Sequence, residues 1–291
     1  MWQKILDKAA AQIEPQTLYV VATPIGNLAD ITLRALAVLQ RADLVCAEDT
    51  RVTARLLAAY GIQAKLLSVR EHNERQMAEK IVSALSDGLI VAQVSDAGTP
   101  AVCDPGARLA EHVRAAGYKV VPVPGASAVM AALSAAGVTE SDFYFNGFLP
   151  PKTTERSKLF AAWQAADYPV VMFETPHRIA DTLADMAAAF PERRLTLARE
   201  LTKTFETFLC GTVNDIQTAL REDANQMRGE IVLILYPAAR EKTSELSDAT
   251  LHVLRILADE LPTKQAAALA SQITGEGKKA LYEAALVLKQ R

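Results

Sequence analysis

From Leu18 onward the chain alternates short apolar runs with longer amphipathic ones, and this alternation narrows the fold more than any other feature. The runs Leu18–Ala22, Leu44–Ala47, Leu89–Val94 and Lys119–Val123 have the length and near-continuous apolarity of strands buried on both faces. Helix signals stand between them. Asp30 is placed to cap a helix running through Gln40, and Thr50 to open one that stops at Gly61. Asp104-Pro105 reads as a cap followed by proline at the first helical position, with that helix ending at Gly117. Strands and helices alternating at this spacing specify a parallel α/β layer.

A second series begins near Phe143. Its candidate strands are Phe143–Phe148, Val170–Phe173, Leu195–Glu200, Glu206–Leu209 and Ile231–Tyr236. Two helices stand out, from Pro176 to about Ala189 and from Thr212 through Leu220. The irregular spacing predicts a second α/β domain with a mixed sheet, joined to the first around Ala135–Asp142. After Pro237 the sequence turns polar, and Ala239–Ser247 reads as a linker. Ala249–Leu261, Thr263–Thr274 and Lys278–Lys289 then read as three helices, broken at Pro262 and at Gly275-Glu276-Gly277. The expected organisation is an N-terminal extension (1–16), two α/β domains (17–137 and 138–238), and a linker with a small helical bundle (239–291).

Composition sets limits. A chain of 291 residues, 50% hydrophobic and 22% charged, can bury two cores and is not of the disordered class. A net charge of −3 removes the argument for an overall basic nucleic-acid binder, while leaving room for a local basic surface. Cys46, Cys103 and Cys210 form no CxxC and read as reduced, buried thiols. The four histidines lack metal-ligand spacing, so no metal is expected. Neither a membrane-length apolar run nor a signal-peptide core is present, and a cytoplasmic protein is expected.

Glycine and proline concentrate where the first-domain strands end. The turns are 22–28 (ATPIGNL), 47–51 (AEDTR), 95–100 (SDAGTP) and 122–128 (PVPGASA). In an open α/β sheet the ligand crevice lies at the carboxyl ends of the strands, where these turns would gather. Two readings stand. They are ordinary tight turns, or they bring small residues and free N–H groups close to a ligand carboxylate, with Asp96 facing an amine, a hydroxyl or a sulfonium. The first turn is not GxGxxG, and no GxxxxGK[ST] exists, so dinucleotide and nucleotide cradles lose their support.

Polar clusters follow second-domain strands: Phe173-Glu174-Thr175-Pro176-His177-Arg178 and Arg199-Glu200-Leu201-Thr202-Lys203. Glu174 and Glu200 end apolar strands, where a charge must be used or paired. His177, just inside a helix start, reads as a surface or capping residue.

Taken together these strings resemble the tetrapyrrole-methylase superfamily, the class III methyltransferases. They are ATPIGNLADITLRAL (22–36), AEDTR (47–51), EHNE (71–74), SDAGTP (95–100), DPG (104–106), PGASA (124–128), GFLP (147–150), FETPHR (173–178), RELTK (199–203) and GEIV (229–232). EHNE, FETPHR and RELTK point within it to the branch acting on bacterial 16S ribosomal RNA. Cys103 stands where serine is common, Ala126 where proline is common, and Pro151-Lys152 replaces a more basic pair.

The resemblance implies two α/β domains with a cofactor cleft between them, a homodimer, and S-adenosyl-L-methionine as cofactor. It assigns Pro24, Asp96, Thr99, Ser127 and Ala128 to the cofactor, with Ala198 and Ile231 from the second domain. The implied partner is 16S ribosomal RNA or the small ribosomal subunit, and the implied target is the 2′-hydroxyl of cytidine 1402 in the decoding region. A ribose hydroxyl is a poor nucleophile, so a base should assist. Among Asp30, Glu48, Asp49, Glu174, Glu200 and Lys203, the favoured catalytic candidates are Glu48 and Asp49, with ion pairing to Arg51 or Arg34 as the alternative role. Arg34, Arg51, Arg55, Lys152, Arg178, Lys203, Lys278 and Lys279 are the expected RNA contacts. A methyltransferase acting on a tetrapyrrole or a protein side chain, and a non-catalytic RNA-binding protein, remain as alternatives.

Overall fold

The computed structural model describes residues 2–238 and 246–289. The first compact unit spans Met1–Ala238 and the second Ala239–Arg291.

The first unit begins with α1 (Trp2–Ala10), which packs on the helix Leu33–Arg41. The elements β1 (Thr17–Val21), α2 (Leu33–Arg41), β2 (Leu44–Ala47), α3 (Thr50–Ala59), β3 (Leu66–Ser68), α4 (Glu74–Ser86), β4 (Ile90–Val94), α5 (Ala107–Ala115) and β5 (Lys119–Val123) then follow. They build a sheet of order β3-β2-β4-β1-β5 in which every pairing is parallel. Apolar clusters lie on both faces. Tyr19, Val21, Val45 and Val94 meet α2 and α3 on one side, while Leu18, Cys46 and Val91 meet α4 and α5 on the other. Burial on both faces is why these strands read as continuous apolar runs.

After α6 (Ala128–Ala135) come β6 (Tyr144–Phe148), α7 (Thr153–Ala162), β7 (Val170–Glu174), α8 (Ile179–Ala189), β8 (Arg194–Arg199), β9 (Thr207–Thr212), α9 (Val213–Glu222) and β10 (Ile231–Leu235). The second sheet has the order β6-β7-β10-β8-β9 and is mixed: only β6·β7 is parallel. One face packs on α7, α8 and α9. The other receives α6, whose Val129 and Ala132 join Ile25 of the first half and Val171, Ala198, Val232 and Ile234 of the sheet. That shared core fixes the two halves against each other. Small residues along α6 let it approach the sheet closely.

Several sequence expectations are corrected. Asp30 does not cap α2: residues Leu28–Asp30 make a 3-10 turn, and the Thr32 hydroxyl accepts the Ala35 N–H instead. Thr50 opens α3 as expected, and Asp49 before it is the cap. Asp104 does not cap α5, because the chain runs on through Gly106 at φ 131 before the helix begins. The loop after Pro150 leads directly into α7, whose polar first turns and buried Arg156 hide it from a periodicity reading. Among the cysteines only Cys46 is buried; Cys103 and Cys210 are exposed.

The second unit holds α10 (Asp248–Glu260), α11 (Thr263–Thr274) and α12 (Lys278–Lys289), around Leu254, Ala267, Ala270, Leu281 and Ala285. Gly275 at φ 76 ends α11, as the sequence led one to expect. Most of the expected linker, 239–245, lies outside the described residues.

Candidate active site

The turns at the carboxyl end of the first sheet are stitched together by their own backbone. Thr23 and Gly98 exchange N–H···O bonds of 2.9 and 3.0 Å. The Thr23 hydroxyl donates to Ser95 O at 3.3 Å, and the Thr99 hydroxyl to Ala126 O at 3.0 Å. Gly125 lies so close to Ala22 that an added Cβ would sit 2.9 Å from the Ala22 Cβ. Three turns that are far apart in sequence therefore behave as one rigid surface.

Opposite them stand the ends of β7 and β10, where Glu174 pairs with Ile231 in the sheet register. Between the two surfaces lies a cleft of about 290 Å³. Ile25, Gly98, Thr99, Ser127 and Ala128 line it from the first half, and Phe148, Phe173, Ile231 and Val232 from the second. Among the described residues that line it there is no lysine, arginine or histidine, but there are three carboxylates, Asp104, Glu174 and Glu230. Such a cleft disfavours a phosphate and suits an uncharged ring system joined to a cation.

A second cavity of about 620 Å³ adjoins it. Glu48, Asp49, Asp96 and Asp104 line it together with Arg70, His72 and Arg108. Cys103 and Asp104 belong to the walls of both cavities.

Of the residues expected to hold the cofactor, Thr99, Ser127, Ala128 and Ile231 line the cleft. Asp96 lines the polar cavity instead, where its Oδ1 accepts the Asp49 N–H at 3.0 Å. Pro24 is buried, and Ala198 lies in the core beneath α6; neither forms part of the cleft wall.

The two favoured bases differ sharply. Asp49 accepts the Arg51 N–H at 2.8 Å and pairs with the Arg51 guanidinium at 2.5 Å. Those bonds hold its carboxyl well below the usual range, which makes it a weak base. Glu48 is pushed upward by burial, then by the charges of Asp104 and Asp96, with Arg70 opposing and Asp49 adding. Asp104 is raised by burial and by Asp96, partly offset by the Ser95 hydroxyl. Asp104 reads in the sequence as a helix cap; the Pro105-Gly106 pair, which delays the helix to Ala107, is the signal against that role.

The remaining acid–base candidates are engaged within the fold. Glu174, with a fully buried side chain, meets Arg178 at 2.7 Å, the Thr182 hydroxyl at 2.7 Å and the Thr175 N–H at 2.7 Å. Lys203 Nζ bridges Glu200 and Glu230 at 2.9 and 3.0 Å, and its stem lies over Gly26 of the first half. Asp30 accepts the Thr202 hydroxyl across the same joint. His177 is absent from both cavity walls.

The expected RNA contacts divide in the same way. Arg34, Arg51, Arg55, Lys152, Lys278 and Lys279 are exposed, Arg51 paired with Asp49 and Lys152 with Glu155. Arg178 spends its donors on Glu174, the Thr175 hydroxyl and Leu149 O, and Lys203 on two carboxylates.

Residues 17–217 match the sequence pattern of the tetrapyrrole (corrin/porphyrin) methylases, and residues 244–289 that of the RsmI C-terminal HTH domain. A curated relative from Neisseria meningitidis serogroup B, named Ribosomal RNA small subunit methyltransferase I, is 72% identical over 100% of both chains. Relatives of the same name from Escherichia coli O157:H7 and Pseudomonas aeruginosa are each 47% identical. They cover 92% and 93% of this chain, and 94% and 96% of their own length. A solved cobalt precorrin-4 methyltransferase shares the fold, with a TM-score of 0.55 at 20% identity over 76% of this chain and 95% of its own. The cofactor is S-adenosylmethionine. Its features, an aromatic base on one side and a sulfonium on the other, fit a cleft with apolar walls, carboxylates and no cation. The chain belongs to the tetrapyrrole (corrin/porphyrin) methylase family, beside its relatives named Ribosomal RNA small subunit methyltransferase I.

Proposed function

We propose that the protein methylates the 2′-hydroxyl of a cytidine in the decoding region of 16S ribosomal RNA. The observation that carries this reading is the pairing of two unlike cavities along a shared wall, in a chain 72% identical to a ribosomal RNA methyltransferase. When bound, S-adenosylmethionine supplies an electrophilic methyl group on a positive sulfur. Thr99, Ser127, Ala128 and Ile231 hold it in the apolar cleft, and the adjoining polar cavity admits the target nucleotide. The carboxylates of Glu48, Asp96 and Asp104 face that nucleotide, and one of them assists removal of the hydroxyl proton. Asp49 is left to cap α3. Holding the oxygen in line with the methyl group supplies much of the rate.

Arg34, Arg55, Lys278 and Lys279 are exposed cations available to RNA phosphates; Arg51 and Lys152 are exposed as well, paired with Asp49 and Glu155. The protein acts in the cytoplasm as a homodimer; among the described residues no helix is long and apolar enough to cross a membrane. Light scattering checks the dimer.

The deciding experiment is tritiated-methyl transfer to small ribosomal subunits, followed by nuclease mapping of the labelled ribose. Label on one decoding-region cytidine is the expected result. Label on a base, on protein or on an added tetrapyrrole overturns the reading.

A further inference from the structure

We propose that Asp104, where the two cavities share a wall, accepts the proton of the ribose hydroxyl. This rests on the ribose-methylation reading above and names the base which that reading leaves open.

Geometry carries the assignment. The hydroxyl oxygen must face the methyl group in the apolar cleft while its proton stays within hydrogen-bond reach of a base. Among the described residues only Cys103 and Asp104 line both spaces. Cys103 is a thiol raised by burial and by the Asp104 charge, and it abuts Gly147, where an added Cβ would lie 2.9 Å from its Sγ. Glu48 and Asp96 reach only the polar cavity. Glu174 and Glu230 reach only the cleft and are engaged by Arg178 and Lys203.

The corner that carries Asp104 is built to hold it there. Cys103 sits at φ 63 and Gly106 at φ 131. A Cβ on Gly106 would fall 1.5 Å from Gln93 Nε2, which donates to Pro105 O at 3.3 Å. The Ser95 hydroxyl, 2% exposed, lies beside Asp104 and partly offsets the rise in its proton affinity.

The surrounding charges tune the base. Burial and Asp96 raise its proton affinity, while Glu48 is raised by burial, Asp104 and Asp96 in turn. Arg70 opposes the rise on Glu48; Glu71, His72 and Arg108 complete the charged edge of the cavity, and Glu74 is spent on the Leu109 N–H at 2.8 Å. In the step itself the O–H bond breaks toward Asp104. The freed oxygen pair forms the bond to carbon, and the carbon–sulfur pair stays on sulfur. A carboxylic acid, a methyl ether and a neutral thioether result.

The test uses the full chain carrying Asp104→Asn or Asp104→Glu. Calorimetry should find S-adenosylmethionine binding by Asp104→Asn weakened far less than the rate, while single-turnover transfer to small subunits falls about 10²–10⁴-fold. Asp104→Glu should recover part of the rate, and the acid limb of the pH–rate profile should flatten in Asp104→Asn. Without cofactor, carboxyl NMR should show Glu48 titrating lower in Asp104→Asn, because a like charge has gone. Overturning results are a rate within about threefold of wild type, a loss of binding that matches the loss of rate, or an unmoved Glu48. If wild type labels no ribose, the substrate reading falls and this assignment with it. If wild type and Asp104→Asn label it equally, only the assignment falls.

Discussion

The two walls of the cleft are held by different means. On the first-half side, backbone lies on backbone: the Thr23–Gly98 exchange, the Thr99 hydroxyl on Ala126 O, and Gly125 against Ala22. On the second-half side, the apolar residues Phe173, Ile231 and Val232 are anchored by charged pairs beside them, Glu174–Arg178 and Glu200–Lys203–Glu230. A backbone wall is insensitive to charge and spoiled by a single methyl group. An ion-paired wall tolerates small changes of volume but not the loss of a partner. The division suits the work: the first wall presents fixed turns, and the second supplies shape and apolar cover.

The largest effect is expected from breaking the second wall at its buried pair. Glu174→Ala leaves Arg178 without its counter-charge and frees the Thr175 N–H and the Thr182 hydroxyl. Removing one partner of a buried pair costs about 3–5 kcal/mol, and partial exposure of Arg178 places this one near about 3 kcal/mol. Denaturant unfolding reads it directly. An unchanged midpoint would mean that the second wall does not depend on its charges.

The first wall is tested by a methyl group. Gly125→Ala puts a Cβ 2.9 Å from the Ala22 Cβ, with rigid backbone behind both. Overpacking of this kind costs about 1–3 kcal/mol. If this turn holds the cofactor as proposed, calorimetry should find S-adenosylmethionine binding weakened by about tenfold or more. Ala22→Gly in the same chain should restore most of it. Thr99→Val is milder. It strips the hydroxyl from Ala126 O, and affinity should fall by about 1 kcal/mol.

The two walls were also legible in the sequence to different degrees. The first sheet could be read almost strand by strand, since burial on both faces makes each strand a continuous apolar run. The exceptions are the edge strands, β3 with three half-buried residues and β5 with only Val123 buried. The turns at the strand ends were visible as Gly/Pro/Asp clusters, and Thr99, Ser127, Ala128 and Ile231 line the cleft. What escaped was pairing across distance. That Asp49 is spent on Arg51 was open as an alternative, but that Lys203 crosses to Gly26 and Asp30 meets Thr202 depends on how the halves meet. Asp104 escaped for a local reason: Asp-Pro is both a good helix start and a good loop corner, and Gly106 at a positive φ decides between them.

The smallest effect separates the charge of Lys203 from its bulk. Lys203→Met keeps an apolar stem over Gly26 and removes the ammonium from Glu200 and Glu230. Burial alone would raise Glu200, but the bonds from Lys203 and the Glu230 N–H outweigh it and hold the carboxyl below its ordinary value. A lowered carboxyl contributes stability above its unfolded value and loses it as pH falls through the folded one. Lys203 is shifted upward: its burial opposes this, but bonds to the two glutamates prevail, so its share is present at neutral pH and lost only in strong alkali. Wild type should therefore exceed Lys203→Met by less than about 1 kcal/mol at neutral pH, since Lys203 is a quarter exposed and Glu230 largely so. The gap should close as acid protonates Glu200, which thermal unfolding across the acid range would follow. A gap that stays constant into acid would assign the role of Lys203 to packing on Gly26. In RNA binding the same variant should leave the salt slope unchanged, because its ammonium is already spent, whereas Arg55→Ala should lower the slope by about 1.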